Sequence, residues 1–151
     1  MSRRVLLPSL VAVAVLGAAG AYAVAQASES GPGSPEVKNG SATYVAPTAG
    51  RDGSFTFTSR VSDDSGVREV KVLAWPASMK PAPTAKEMAA VESATCEPTG
   101  HGASKCRYTT KVTAAEAATT PAGSWHVAVL VTAKDGDTKF VPRAGAFTVG
   151  K

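Results

Sequence analysis

Beyond position 40, apolar and polar residues alternate one for one over much of the chain. The clearest run is Phe55-Thr56-Phe57-Thr58-Ser59-Arg60-Val61. That period puts alternate side chains on opposite faces and predicts a half-buried strand. Thr43-Tyr44-Val45 precedes it as a shorter strand closed by Pro47. Asp63-Asp64-Ser65-Gly66 is a turn, since each of these residue types favours one. Val67 to Trp75 then resumes, with Val70, Val72 and Ala74 on one face and Glu69, Lys71, Leu73 and Trp75 on the other. Cys106–Val112 and Trp125–Ala133 are further strands. The second is nearly continuous in apolar residues, which suits a central strand covered on both faces. Asp135-Gly136-Asp137 marks a hairpin, and Thr138–Val149, broken by Pro142 and Gly145, suits an edge strand or a bulge.

Pro76–Lys105 departs from this period. Thr84-Ala85-Lys86-Glu87 has the form of a capping box, and the residues after it favour a short helix over 84–92. The whole is an all-β chain: six to seven short strands in one β-sandwich, with one short helix in an insertion.

A further departure lies at the start. Arg3 and Arg4 precede a stretch, Val5 to Ser28, that carries no charge. Ala25-Gln26-Ala27 offers a signal peptidase the small-x-small pattern, so residues 1–27 are expected to be a cleaved secretory leader. The alternative is a retained N-terminal anchor, because about 20 apolar residues span a bilayer. The twin arginines leave the export route open between the general and twin-arginine systems. Residues 28–40 hold three Gly, two Pro and three Ser and read as a flexible spacer, leaving 41–151 as the folded domain.

Phe55-x-Phe57 followed by Val61-Ser62-Asp63-Asp64-Ser65-Gly66-Val67 resembles the second and third strands of bacterial immunoglobulin-like domains. Pro121-Ala122-Gly123-Ser124-Trp125, running into Val127-Ala128-Val129 and Ala133-Lys134-Asp135-Gly136, resembles later strands of the same domains. Residues 41–150 as a whole are similar to small secreted actinobacterial proteins with no assigned function. The resemblance implies an immunoglobulin-like sandwich and no particular activity. Asp137 stands where such domains often carry Asn, and no cysteine pair occupies the strands that antibody-type domains cross-link. The composition, with 28 Ala and no Ile, also fits a GC-rich actinobacterial source.

Charge changes the picture little. The formal net charge is +4, but Arg3 and Arg4 belong to the leader, so the remainder carries only +2. The sequence shows no basic run, and nucleic acid is not expected as a partner.

Cys96 and Cys106 are the only two cysteines. In an exported chain they are expected to pair. A zinc site using His101, midway between them, is the alternative, but it lacks the four ligands zinc takes. Asp63, Asp64, Asp135 and Asp137 fall in two turns expected at one pole of the sandwich, where four carboxylates suit calcium; Asp is also simply common in turns. Leu73, Trp75 and Leu130 point away from the main core. Either the 76–105 insertion folds over them through Met88 and Val91, or they form an exposed partner surface. Folding over is the expectation, since so short a helix needs packing.

No nucleophile stands with a histidine and an acid at a recognisable spacing, so an enzyme is not expected. The expected function is a secreted, monomeric, non-catalytic binding or adhesion module for an unknown protein or cell-surface polymer, without a resident cofactor. The alternative is a secreted protease inhibitor or small hydrolase.

Overall fold

The computed structural model describes residues 34–150. The expected leader (1–27) and the first part of the expected spacer therefore lie outside the described residues. Seven strands form two antiparallel sheets. They are β1 (Glu36–Val45), β2 (Gly53–Ser62), β3 (Val67–Pro76), β4 (Thr95–Gly100), β5 (Ala103–Val112), β6 (Gly123–Ala133) and β7 (Thr138–Val149). One sheet has the order β1-β2-β5-β4, the other β3-β6-β7.

The alternation in β2 does what it promises: Phe55, Phe57, Ser59 and Val61 are buried while Thr56, Thr58 and Arg60 face out. Their counterparts in the second sheet are Val70, Val72, Val127, Val129 and Val131, and these groups with Cys106 and Val112 make the main core. β6 is central in its sheet. Its other face is also covered, because Trp75, Met88 and Ala128 form a second core packed by Leu73, Val91, Leu130 and Phe140. The 77–94 segment supplies that cover.

Three expectations are corrected. Strand β1 begins at Glu36, inside the stretch read as spacer, and accommodates Asn39 at a φ of 56° through a register shift between Lys38 and Ser41. Thr95–Gly100 is a strand rather than part of the insertion, and the disulfide joins it to the neighbouring strand β5. The expected 84–92 helix is only a 3-10 turn, Lys86–Ala90.

Half of the capping box at that turn forms. Glu87 accepts from the Thr84 amide at 2.8 Å, but the Thr84 hydroxyl turns to the same carboxylate instead of capping. Val91 is already extended, because the chain must cross the edge of β3 there. A complete box stands elsewhere. Thr113 Oγ1 accepts from the Glu116 amide at 3.2 Å and Glu116 accepts from the Thr113 amide at 2.9 Å, starting α1 (Ala114–Thr119). The Thr113 amide and, at 2.8 Å, the Thr113 hydroxyl both donate to the Glu116 carboxyl and hold it below its ordinary value.

The crossing is tied down by main chain. Val72 N donates to Glu92 O at 3.1 Å and Ala94 N to Val70 O at 2.7 Å, so residues 92–94 cap the upper edge of β3. Ser93 Oγ adds a 2.8 Å bond to Glu69, which with Lys71 holds that carboxyl below its ordinary value.

Candidate functional site

Below that crossing the two sheets part. β4 pairs with β5 only as far as Arg107, so among the described residues Tyr108 to Val112 has no strand paired on that side. Among the described residues, no main-chain bond caps the facing edge of β3 between Val72 and Pro76. A cleft of about 420 Å³ opens there, bounded above by Ala90–Glu92 and below by Glu116 of α1 and Thr120, which caps that helix.

Five rings from five strands line it: Tyr44, Phe55, Tyr108, Trp125 and Phe147. Phe147 is their hub. Its ring centroid lies 4.9 Å from Phe55, 5.8 Å from Trp125 and 6.1 Å from Tyr44, and Phe55 reaches Tyr108 at 6.2 Å. These separations lie within the roughly 4.5–7 Å over which aromatic pairs attract. Phe55 is buried, whereas the other four rings are half-exposed and form the wall. The Trp125 indole is fixed by a 2.9 Å bond from Nε1 to Pro121 O.

Polar groups sit at the rim. Tyr108 Oη donates to the Glu92 carboxylate. Burial, and then that carboxylate, push the phenol above its ordinary value of 10.0. The neutral phenol is thus the form the fold prefers. Its stabilising contribution is complete below the ordinary value and is lost as pH rises through the raised one. An absorbance titration at alkaline pH is expected to show a late phenol that Tyr108→Phe removes; a titration left unchanged by Tyr108→Phe at its alkaline end would contradict the contact.

A family of proteins of unknown function, DUF5707, matches residues 37–131, well over half of the chain. The chain belongs to that family. No curated protein matches it. The matched part of this DUF5707 domain runs from β1 into β6. Of the five rings, Tyr44, Phe55, Tyr108 and Trp125 fall inside it, and Phe147, on β7, falls beyond it.

The residues singled out from the sequence occupy other places in the DUF5707 domain. Cys96 and Cys106 stand directly opposite each other on β4 and β5 and are joined by a disulfide, so neither thiolate remains for His101 to share a metal with. His101 is exposed in the β4–β5 turn at a φ of 54°. Beside it Gly102 is a close approach: a Cβ there would lie 2.0 Å from Asp63 O.

The Asp63–Gly66 and Lys134–Asp137 turns do meet, but through Ser65 rather than through carboxylates. Ser65 Oγ donates to Asp63 Oδ2 at 2.6 Å and accepts from the Asp135 amide at 3.1 Å. Asp137 N donates to Asp135 Oδ1, closing the second turn on itself. Asp64 is exposed. Among the described residues no three acidic, histidine or cysteine side chains converge as a metal site. Of the four carboxylates expected to gather around calcium (Asp63, Asp64, Asp135 and Asp137), Asp63 and Asp135 each give one oxygen to turn geometry, and Asp63 Oδ1 is buried without a hydrogen-bond partner among the described residues.

Trp75 and Met88 are 2% and 0% exposed and so offer no partner a surface, while Leu73, Val91 and Leu130 are half-buried around them. Leu73 and Val91 also contribute to the upper wall of the cleft. The aromatic cleft itself was not visible in the sequence. Each ring falls on a strand, but only the pairing of sheets brings them together.

Proposed function

We propose that this DUF5707 domain is an exported, non-catalytic binding module that takes an apolar or aromatic group of its ligand between its two sheets. The observation that carries the reading is the ring-lined cleft at the parted strand edges. Its volume lies within the few hundred cubic ångströms typical of small-ligand pockets, and its apolar walls with a few rim hydroxyls match their usual chemistry. Rings and methyl groups hold a ligand by burial and stacking.

The strand order supports an immunoglobulin-like reading. β1-β2-β5-β4 facing β3-β6-β7 is the arrangement of constant-type immunoglobulin domains. Such sandwiches commonly serve as scaffolds for recognition, in keeping with the secreted actinobacterial proteins the sequence resembles. The Cys96–Cys106 disulfide supports an oxidising, extracytoplasmic location. No helix among the described residues is long and apolar enough to cross a membrane.

The test uses 1-anilinonaphthalene-8-sulfonate as an apolar aromatic probe. One saturable site is expected, with a change in Trp125 emission, lost in Trp125→Ala and Phe147→Ala variants that still unfold cooperatively. Binding unchanged in both variants, or no saturable binding, would overturn the reading.

A further inference from the structure

The outer face of the β1-β2-β5-β4 sheet carries a second pattern, independent of the cleft. Strand register sets Lys38, Arg60 and Lys105 abreast on three neighbouring strands, with Glu97 at the end of the row. Arg107 follows two residues along β5, opposite Thr58 and Thr95. Neighbouring strands are about 4.8 Å apart, so these cations crowd one another, and like charges directly opposite destabilise a sheet. Lys38 is relieved by Glu36 at 3.5 Å. Arg60, Lys105 and Arg107 are exposed and make no ion pair within 4.0 Å among the described residues.

Two shallow hollows run together here. One, of about 550 Å³, is lined by Thr58, Thr95, Glu97, Lys105, Arg107 and Thr109; the other, of about 200 Å³, by Arg60 with Asn39 and Ser59. They share Thr58 and Lys105 and so form one trough across the sheet. Hydroxyls fill the positions between cations. Thr56 and Thr109 lie 3.4 Å apart, and Arg107 Nε donates to Thr109 Oγ1 at 3.3 Å.

From this geometry we infer that the trough is a second binding site, for an anionic, hydroxyl-bearing polymer of the cell surface, a polyol phosphate. The charges answer the phosphates and the hydroxyls answer the polyol. The spread of the cations favours a chain over a single anion. Outward positions along β5 repeat about every 7 Å, so one phosphate meets two of these groups at most while a polymer meets all three. Residues 54, 56, 58, 60, 105, 107 and 109 present no ring on this face, and single-stranded nucleic acid relies on such stacking platforms.

The experiment is equilibrium binding of the secreted chain to poly(glycerol phosphate) at several salt concentrations, with polygalacturonate and duplex DNA in parallel. Three released counterions predict a log–log salt slope of about −2. Arg60→Gln with Arg107→Gln is expected to weaken binding at least tenfold and to flatten the slope. Lys80→Gln with Lys86→Gln, on the insertion over the other sheet, is expected to leave it unchanged. Removal of the crowded charges is expected to raise the melting temperature slightly, so loss of binding will not reflect loss of fold. Equal binding by both double variants, or no binding to poly(glycerol phosphate) at low salt, would overturn the inference. Tighter binding to DNA or to polygalacturonate would also overturn it, by assigning the trough to another polymer.

Discussion

Phe57→Ala is expected to cost about 3–5 kcal/mol, the largest loss of any single truncation in the main core. Phe57 is 1% exposed on the inner face of β2. Its ring edge lies against Gly40 of β1 and Gly145 of β7. A Cβ at Gly145 would stand 2.9 Å from Phe57 Cε1, and one at Gly40 would stand 3.4 Å from it. Two glycine-floored positions cannot collapse into the space a missing ring leaves, so the cavity term adds to the lost burial. A domain of this size retains only about 5–15 kcal/mol, so the variant forfeits a large share. Urea unfolding will show the midpoint falling with an unchanged slope. Phe57→Leu keeps most of the volume and is expected to lose far less. A Phe57→Ala midpoint within experimental error of the parent would contradict this packing.

Trp75→Ala is expected to cost a similar amount, about 3–5 kcal/mol, by a different route. Trp75 lies on the far face of the β3-β6-β7 sheet and anchors the second core over Met88 and Ala128. Its Nε1 donates to Pro142 O at 2.9 Å, tying β3 to the irregular middle of β7. The ring also meets His126 at 4.9 Å. Because the 77–94 cover rests on this indole, truncation should free the cover before the sheets separate. Hydrogen exchange will report the difference: amides of Met88, Val91 and Ala94 are expected to lose protection in Trp75→Ala while those of Val70 and Val129 retain more of theirs. Trp75→Phe keeps most of the ring and leaves the Pro142 carbonyl without its donor, for a smaller loss of about 1 kcal/mol. Uniform loss of protection across both cores in Trp75→Ala would show the two cores to be one cooperative unit.

Much of this architecture was legible in the sequence because burial on one face imposes a period of two. β2, β3 and β6 announce themselves in that way, and the apolar run in β6 correctly anticipates cover on both of its faces. β4 was illegible for the opposite reason. Thr95-Cys96-Glu97-Pro98-Thr99-Gly100 is a short, exposed edge strand with a proline, and it owes its conformation to pairing with β5 rather than to its own pattern. Two capping boxes had the same form, yet only the one at Thr113 begins an α-helix. At Thr84 the following residues must bury Met88 under Trp75 and then cross the edge of β3, and tertiary demand overrides the local signal.

The sites were less legible than the fold. The cleft needs five strands in register before its rings meet, and no spacing along the chain encodes that meeting. The basic row is hidden in the same way. Lys38, Arg60, Lys105 and Arg107 come from three strands and never make a run, so a search for contiguous charge passes over them. Their outward positions on alternating strands are the signal that would have found them. The two Asp turns were legible as turns, and Ser65 joins them by donating to the Asp63 carboxylate and accepting from the Asp135 amide.

The proposed binding module is an exported sandwich, and its strands β4 and β5 are closed by the Cys96–Cys106 disulfide. Intact mass of the protein recovered from the culture medium, alkylated before and after reduction, tests this most directly. The expected species begins at Ser28, takes up no alkyl group until reduced, and then takes up two. A product alkylated twice without reductant, or one still carrying the leader inside the cell, would contradict it.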